Sequence, residues 1–339
     1  MIDRDVLQDY LRERWGDPQL RVSDFEEVPG GKSKETILTT IERGTGETNR
    51  LVVRADRSAS PLTSKATDEF AVIDAVYRYG GVPVAKPLLH EPDPSILGGT
   101  ALISEHVDGA RPGQFFPELE KPQHHGPELM RHFATVLARL HTMPLDLLAG
   151  THLDPTPQPV TAEALDQSVL ELADMLAKGR GPDVASMQIA VDWLRRHLDS
   201  VPEDTPRGLN HGDIGLHNML ARDGEITALL DWELPHIGPI AYELATVHTA
   251  VTSLTTWDAF VEAYLAVGGP PQAVDRRTIA FYRVHKCLWL AWYSRAASQL
   301  YWSGARRDII SAGVSFDSQF RHSLKVARAV DNAIEVAWP

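Results

Sequence analysis

His211-Gly212-Asp213-Ile214-Gly215-Leu216-His217-Asn218, followed by Leu229-Leu230-Asp231-Trp232-Glu233, decides how this chain is read. The first stretch is polar and broken by glycine, so it reads as a loop. Between the two lie short apolar runs joined at Asp223-Gly224, a tight-turn signature. One carboxylate and one amide therefore sit on a loop, and a second carboxylate follows at the end of the next hairpin. Three such groups are able to converge on one point. Phosphoryl transfer asks for these parts: a carboxylate that orients a hydroxyl and accepts its proton, plus an amide oxygen and a carboxylate that hold Mg²⁺ against phosphate oxygens. Magnesium takes hard oxygen ligands and needs only one or two carboxylates when phosphates complete its shell. Asp213 is the catalytic candidate, and Asn218 and Asp231 are the metal-ligand candidates.

Upstream, the pattern predicts a small antiparallel α+β region. The first residues read as an amphipathic helix through Val6, Tyr10 and Trp15. Strands are expected at Val22 to Val28, Thr36 to Ile41 and Leu51 to Arg54, with a glycine-rich bend, Pro29-Gly30-Gly31-Lys32-Ser33, before the second. A helix is expected from Ala66 to Tyr79, with Phe70, Ile73 and Tyr77 at helical spacing, Ser64 as N-cap and Gly80-Gly81 as the stop. Strands at Val84 to Leu89 and Thr100 to Glu105 follow, then a break at Val107 to Gly113. Downstream, Leu129 to His141, Thr161 to Lys178, Ala185 to Leu198, Trp257 to Val267 and Arg276 to Tyr301 read as helices.

Composition narrows the class. Of 339 residues, 43% are hydrophobic and 23% charged, an ordinary globular balance. A single cysteine, Cys287, excludes an intramolecular disulfide and a cysteine-based zinc site. No run reaches the roughly 18 to 20 apolar residues of a membrane span, and the first residues lack an apolar signal core. The expectation is a cytoplasmic protein without a membrane partner. A net charge of −13 with no basic run argues against nucleic acid; an acidic surface suits a cationic substrate and equally a solubility role, and the second reading is preferred.

The motif HGDxxxxN followed by DWE resembles the aminoglycoside phosphotransferase family, relatives of the protein kinases. The likeness is greatest to the branch that includes kinase-like domains attached to acyl-CoA dehydrogenases. It runs from about residue 20 to residue 320. The resemblance implies a bilobal protein-kinase-like fold: a nucleotide-binding lobe over residues 1–106 and a helical catalytic and acceptor-binding lobe over 107–339, with ATP in the cleft. It implies that Asp213 is the base, that Asn218 and Asp231 bind the metal, and that His211 braces the loop. Gly30, Gly31 and Ser33 are similar to a phosphate-covering turn. Arg54 stands where kinases carry the strand lysine, and Glu69 matches the glutamate that pairs with that cation. Glu105 and Val107 fall in the hinge that meets adenine. Departures are Lys34, where the glycine turn commonly has Asn, and Tyr242-Glu243-Leu244-Ala245, where an Asp-Leu-Ala triplet is usual.

The expected activity is ATP- and Mg²⁺-dependent transfer of the γ-phosphoryl group to a hydroxyl of a small molecule. The acceptor wall is assigned to the last of the helices named above, with Trp292, Tyr293 and Glu233 as substrate contacts. That helix carries Arg283, Lys286 and Arg295 among its aromatic residues, which favours a bulky neutral or anionic acceptor over an aminoglycoside. Two other readings stay open. One is a nucleotide-binding pseudokinase that serves as an interaction module. The other is a metallohydrolase built on His211, Asp213 and His217, for which no upstream His/Asp motif completes a site.

Overall fold

Strand alternation builds the N-terminal sheet and decides which side chains meet the site. In β2 (Lys34–Glu42) and β3 (Thr48–Asp56), Ile37, Ile41, Leu51, Val53 and Ala55 turn to one face and are buried. The two-residue period then sends Lys34, Arg54 and Asp56 to the other face. The hairpin register sets Lys34 opposite Asp56 and Thr36 opposite Arg54. With β1 (Arg21–Glu27), β4 (Pro87–Glu91) and β5 (Ala101–Glu105) the sheet has five antiparallel strands in the order β1-β2-β3-β5-β4.

The computed structural model describes residues 2–28, 34–56, 65–113, 126–156, 159–178, 185–305 and 312–337. Two compact units emerge. The first joins Met1–Pro155, Leu209–Ile237 and Ser253–Gly268; the second joins Thr156–Gly208, Gly238–Thr252 and Gly269–Pro339. The catalytic-loop candidate and its DWE triplet therefore belong to the same unit as the sheet.

In the first unit, α1 (Arg4–Trp15) closes the apolar face of the sheet with Leu7, Tyr10 and Leu11, which join Val22, Ile37, Leu51, Val53 and Ile103 in one core. Asp3 caps this helix by accepting from the Asp5 and Val6 N–H groups. The buried stripe differs from the expected one, because Val6 is exposed and Leu7 and Leu11 fill the core. Helix α2 (Ala66–Tyr79) ends on Gly80 in the left-handed conformation, as its glycine stop predicts. It buries Glu69, Val72, Ile73 and Val76, while Tyr77 stays exposed. Its N-cap is Lys65; the expected cap, Ser64, lies outside the described residues. The unit also holds the short helix α3 (Pro94–Leu97) and helices α4 (Gly126–His141) and α8 (Trp257–Ala266), which meet through Phe133 and Phe260.

The second unit is helical. It contains α5 (Ala162–Lys178), α6 (Ala185–Arg196), most of α7 (Ile240–Leu254), the long α9 (Arg276–Trp302) and a C-terminal helix, Gln319–Ala337. The sequence reading assigns no helix to Ile240–Leu254 or Gln319–Ala337. The former is rich in Val and Thr, whose strand preference is overridden by burial of Leu244, Val247 and Val251. The latter buries Val326, Ala329, Val330 and Ala333, a helical stripe that was there to be read. Among the described residues, no helix is long and apolar enough to cross a membrane. The architecture is α+β, an antiparallel sheet followed by mainly helical chain, as expected.

Candidate active site

The short strand β6 (Arg207–Asn210) leads into the loop, and Gly212 makes the turn possible. Its φ is +83°, and a Cβ there would stand 1.9 Å from the Leu234 carbonyl oxygen. Only glycine fits. His211 is buried and ties two segments together: its Nε2 donates to the Leu230 carbonyl at 2.9 Å, and its Nδ1 accepts from the Asp213 N–H at 3.4 Å. Its ring lies against Trp232, with centroids 4.5 Å apart. Asn218 closes a 3₁₀ turn, Leu216–Asn218, and its Nδ2 donates to both the carbonyl and Oδ2 of Asp213, each at 2.9 Å. Strands β7 (Met219–Arg222) and β8 (Glu225–Leu229) follow, joined at Asp223 and Gly224, both with positive φ. The Leu230 N–H then donates to the Asn218 carbonyl at 2.8 Å, which brings the hairpin's end back to its start. Asp231 comes next, with φ +66°, a conformation rare outside glycine and concentrated at functional sites.

Arg54 reaches its expected partner, Glu69, and also Asp231, which the sequence did not pair with it. Its Nη1 is 3.3 Å from Glu69 Oε2, and its Nη2 donates to Asp231 Oδ1 at 2.5 Å. Glu233 Oε1 is 3.6 Å from the same nitrogen. Lys34 is the residue the sequence reading undervalued. Its Nζ lies 2.7 Å from Asp56 Oδ1, 3.0 Å from Glu69 Oε1 and 3.9 Å from Glu233 Oε1, with only 2% of the side chain exposed. Asp56 in turn accepts from the Thr100 hydroxyl and from the Ala66 N–H at 3.1 Å, the first residue of α2. Two cations thus share Glu69. The signal was present: in the hairpin register Lys34 and Asp56 are opposite and on the Arg54 face.

Electrostatics follow burial. Burial alone would weaken the charge on Arg54 and Lys34; the carboxylates of Glu69, Asp231, Asp56 and Glu233 more than restore it, so both hold their protons more tightly than usual. Burial would also raise the Asp56 carboxyl, but bonds from Lys34 and Thr100 bring it below its ordinary value. Glu69 goes the other way. Burial pushes its carboxyl from 4.5 up to about 7, against the opposing pull of Arg54 and Lys34. A folded-state carboxyl that holds its proton longer than the unfolded one lends stability below the unfolded value and loses it as pH rises through the folded value. Wild type should therefore lose stability relative to Glu69→Gln as pH rises from about 4.5 to about 7. Thermal melts at half-unit steps check this; a flat difference would mean that Glu69 titrates normally.

A hard divalent cation has a plausible donor set here. The Nδ2 of Asn218 is committed to Asp213, so its amide oxygen is the end left to coordinate. The Asp231 carboxylate is 38% exposed. Among the described residues, no group of three or more His, Cys, Asp or Glu is placed to hold a metal ion unaided. Such a pair suits a cation whose remaining ligands are phosphate oxygens, as Mg²⁺ prefers.

The other predicted residues are placed as follows. Gly30, Gly31 and Ser33 lie outside the described residues. Glu105 ends β5, pairs with Lys86 at 3.1 Å and donates its N–H to the Lys86 carbonyl. Val107 follows beyond the strand, outside any regular element. Glu233, assigned to the acceptor, is buried beside Arg54 and Lys34. Trp292 and Tyr293 lie in the second unit, half-buried on α9; Trp289 stacks on Tyr293 at 5.5 Å and meets Trp292 at 6.0 Å. Lys286 sits over Trp289 and Tyr242, 4.4 and 5.2 Å from their ring centres. Arg295 is buried and donates to the Leu176 carbonyl of α5 at 2.7 Å, so it serves packing.

A family model described as the phosphotransferase enzyme family matches residues 24–282. The chain is 28% identical over 251 residues to acyl-CoA dehydrogenase family member 11 of Homo sapiens, covering 72% of this chain and 30% of that protein. It therefore spans under a third of the length of that relative. Among solved structures, a candidate aminoglycoside phosphotransferase of Ralstonia eutropha JMP134 is similar over 99% of both chains, with a TM-score of 0.74 at 18% identity. The aminoglycoside phosphotransferase APH(4)-Ia, in a ternary complex with AMP-PNP and hygromycin B, is similar over 98% of this chain and 99% of its own, with a TM-score of 0.62 at 19% identity. At these identities the likeness is one of fold.

Proposed function

The chain belongs to the phosphotransferase enzyme family, and from that premise we propose that it transfers the γ-phosphoryl group of ATP to a hydroxyl of a small molecule, with Mg²⁺. One observation carries the reading. Within a single unit, Arg54 bridges Glu69 and Asp231, while Asn218 ties Asp213 to the same loop. In this reading Asp213 orients the acceptor hydroxyl and takes its proton as the new O–P bond forms, while the bond from the γ-phosphorus to the β,γ-bridging oxygen breaks and ADP leaves. Asn218 and Asp231 offer oxygen ligands to the metal, which when bound offsets charge on the phosphate oxygens. Arg54 binds the α/β-phosphates, and Glu69 fixes its direction. Glu105 and Val107 present backbone groups to adenine. The nucleotide complex of APH(4)-Ia supports the choice of nucleotide by fold analogy. The functional division proposed is nucleotide binding by residues 1–106, and catalysis and acceptor binding by 107–339.

The acceptor proposed is bulky and neutral or anionic. Half-buried aromatic rings and Lys286 on α9 support it, since small-ligand pockets are mostly apolar with a few placed polar groups. Glu233, beside two cations, is reassigned to the phosphate side of the site. ADP release, measured across a panel of hydroxylated metabolites and antibiotics, tests the function. Efficient turnover of kanamycin-type aminoglycosides would overturn the acceptor class. Absence of MgATP binding would overturn the reaction.

Trp292→Ala should raise the acceptor KM about tenfold or more and leave the ATP KM nearly unchanged, because it removes contact area far in sequence from the metal ligands. The two constants measured side by side decide it. A variant that melts early with no selective kinetic change would return Trp292 to the core.

A further inference from the structure

Lys34 and Arg54 meet different oxygens of the Glu69 carboxylate, and their surroundings differ. Lys34 is 2% exposed and committed to Asp56 and Glu69; Arg54 is 18% exposed and bonded outward to Asp231, a more open residue. Of the two cations on Glu69, Lys34 is the buried one and Arg54 the one nearer solvent. Arg54, the more exposed of the two, is therefore the cation placed to exchange Asp231 for a phosphate. If Arg54 turns to a phosphate, it weakens its hold on Asp231 and on Glu69. A buried carboxylate left without a partner is costly, so a lone Arg54 would be pinned in place. A second cation removes that constraint. Lys34 also bridges Asp56, which binds the first N–H of α2, to Glu69 in the first turn of the same helix. One ammonium thus fastens the start of α2 to β2 and β3.

We propose that Lys34 is a positioning residue for nucleotide binding: it holds Glu69 and the start of α2 in place, so that Arg54 is free to pass from Asp231 to the nucleotide phosphates. The inference rests on the phosphotransferase reading and extends it to a residue that does not touch the nucleotide. The more exposed cation makes the phosphate contact, and the buried one keeps Glu69 compensated while that contact forms.

The test is a double-mutant cycle on the full chain, with MgATP affinity read by calorimetry. Lys34→Met should weaken MgATP binding about tenfold, as expected if the binding-competent arrangement becomes a minor population. Lys34→Arg should recover most of it. In a Glu69→Gln background, Lys34→Met should change affinity by less than about twofold, because the Glu69 charge that Lys34 is proposed to hold is already gone. A merely structural lysine would lower the melting temperature in both backgrounds and leave affinity alone. Lys34→Gln, which keeps a hydrogen-bonding head in the site, replaces Met in the same cycle where Met does not fold. Wild-type affinity in the Lys34 variant overturns the proposal. So does an equal loss in both backgrounds, which would mean that Lys34 touches the nucleotide. A wild-type protein that binds no MgATP overturns the parent reading as well, and that result is distinct from either.

Discussion

Asp213→Ala is expected to lower phosphoryl transfer by roughly 10² to 10⁴-fold, the usual cost of removing a positioned proton acceptor. MgATP affinity should stay close to that of wild type. The expectation follows from how the residue is held. Its N–H is directed at His211, its carbonyl and Oδ2 receive the Asn218 amide, and 48% of its side chain is exposed. An exposed carboxylate held from behind is placed to meet an incoming hydroxyl, and the Asn218 bond to its carbonyl survives the substitution. The fold should therefore be little affected, with a stability change of about 1 kcal/mol or less. ADP release with the acceptor found by screening gives the rate, and calorimetry gives the affinity. Near-normal turnover would remove Asp213 from the chemistry. Loss of rate together with loss of MgATP binding would assign it to the nucleotide instead.

Much of the first unit was legible in the sequence, and the reasons are local. Tight turns at Asp223-Gly224 and the stop at Gly80 fixed where hairpin and helix end, because positive φ restricts the residues that fit. The pairing of Arg54 with Glu69 was legible because Glu69 shares a helix face with Ile73 and Val76, both buried. The contact from Arg54 to Asp231 was not, since it joins segments 177 residues apart in sequence. Lys34 was misjudged for a different reason. As a member of a glycine turn it reads as a departure from the usual Asn; as the first residue of β2 it is paired with Asp56 by register. Membership of the strand, decided by two residues at its edge, changed its meaning. Glu233 likewise reads as an acceptor contact from its place after Trp232, but its side chain turns to the two cations. Helix Ile240–Leu254 escaped notice because its Val and Thr residues favour strand, a preference that burial of Leu244, Val247 and Val251 overrides.

Asp231→Asn is expected to weaken MgATP binding and to cut turnover by roughly 10²-fold, the scale at which disturbing groups around a bound metal is felt. The substitution is a clean one. Asn tolerates the left-handed backbone that Asp231 adopts, so the φ of +66° adds no new strain. Size is kept and charge is lost. Two consequences then act in opposite directions. The site loses its anionic oxygen ligand, which lowers affinity for the metal-bound nucleotide. Arg54 loses the partner that it holds at 2.5 Å, which frees its guanidinium for phosphate. Nucleotide without metal feels only the second change. ATP measured in excess chelator should therefore bind Asp231→Asn as tightly as wild type or more tightly, while MgATP binds it less tightly. A general disturbance of the site would weaken both. Calorimetric titrations with and without Mg²⁺ separate the cases by sign. If both affinities fall together, Asp231 supports the fold of the loop and another group holds the metal. If neither moves and turnover is intact, Asp231 takes no part in metal or nucleotide binding.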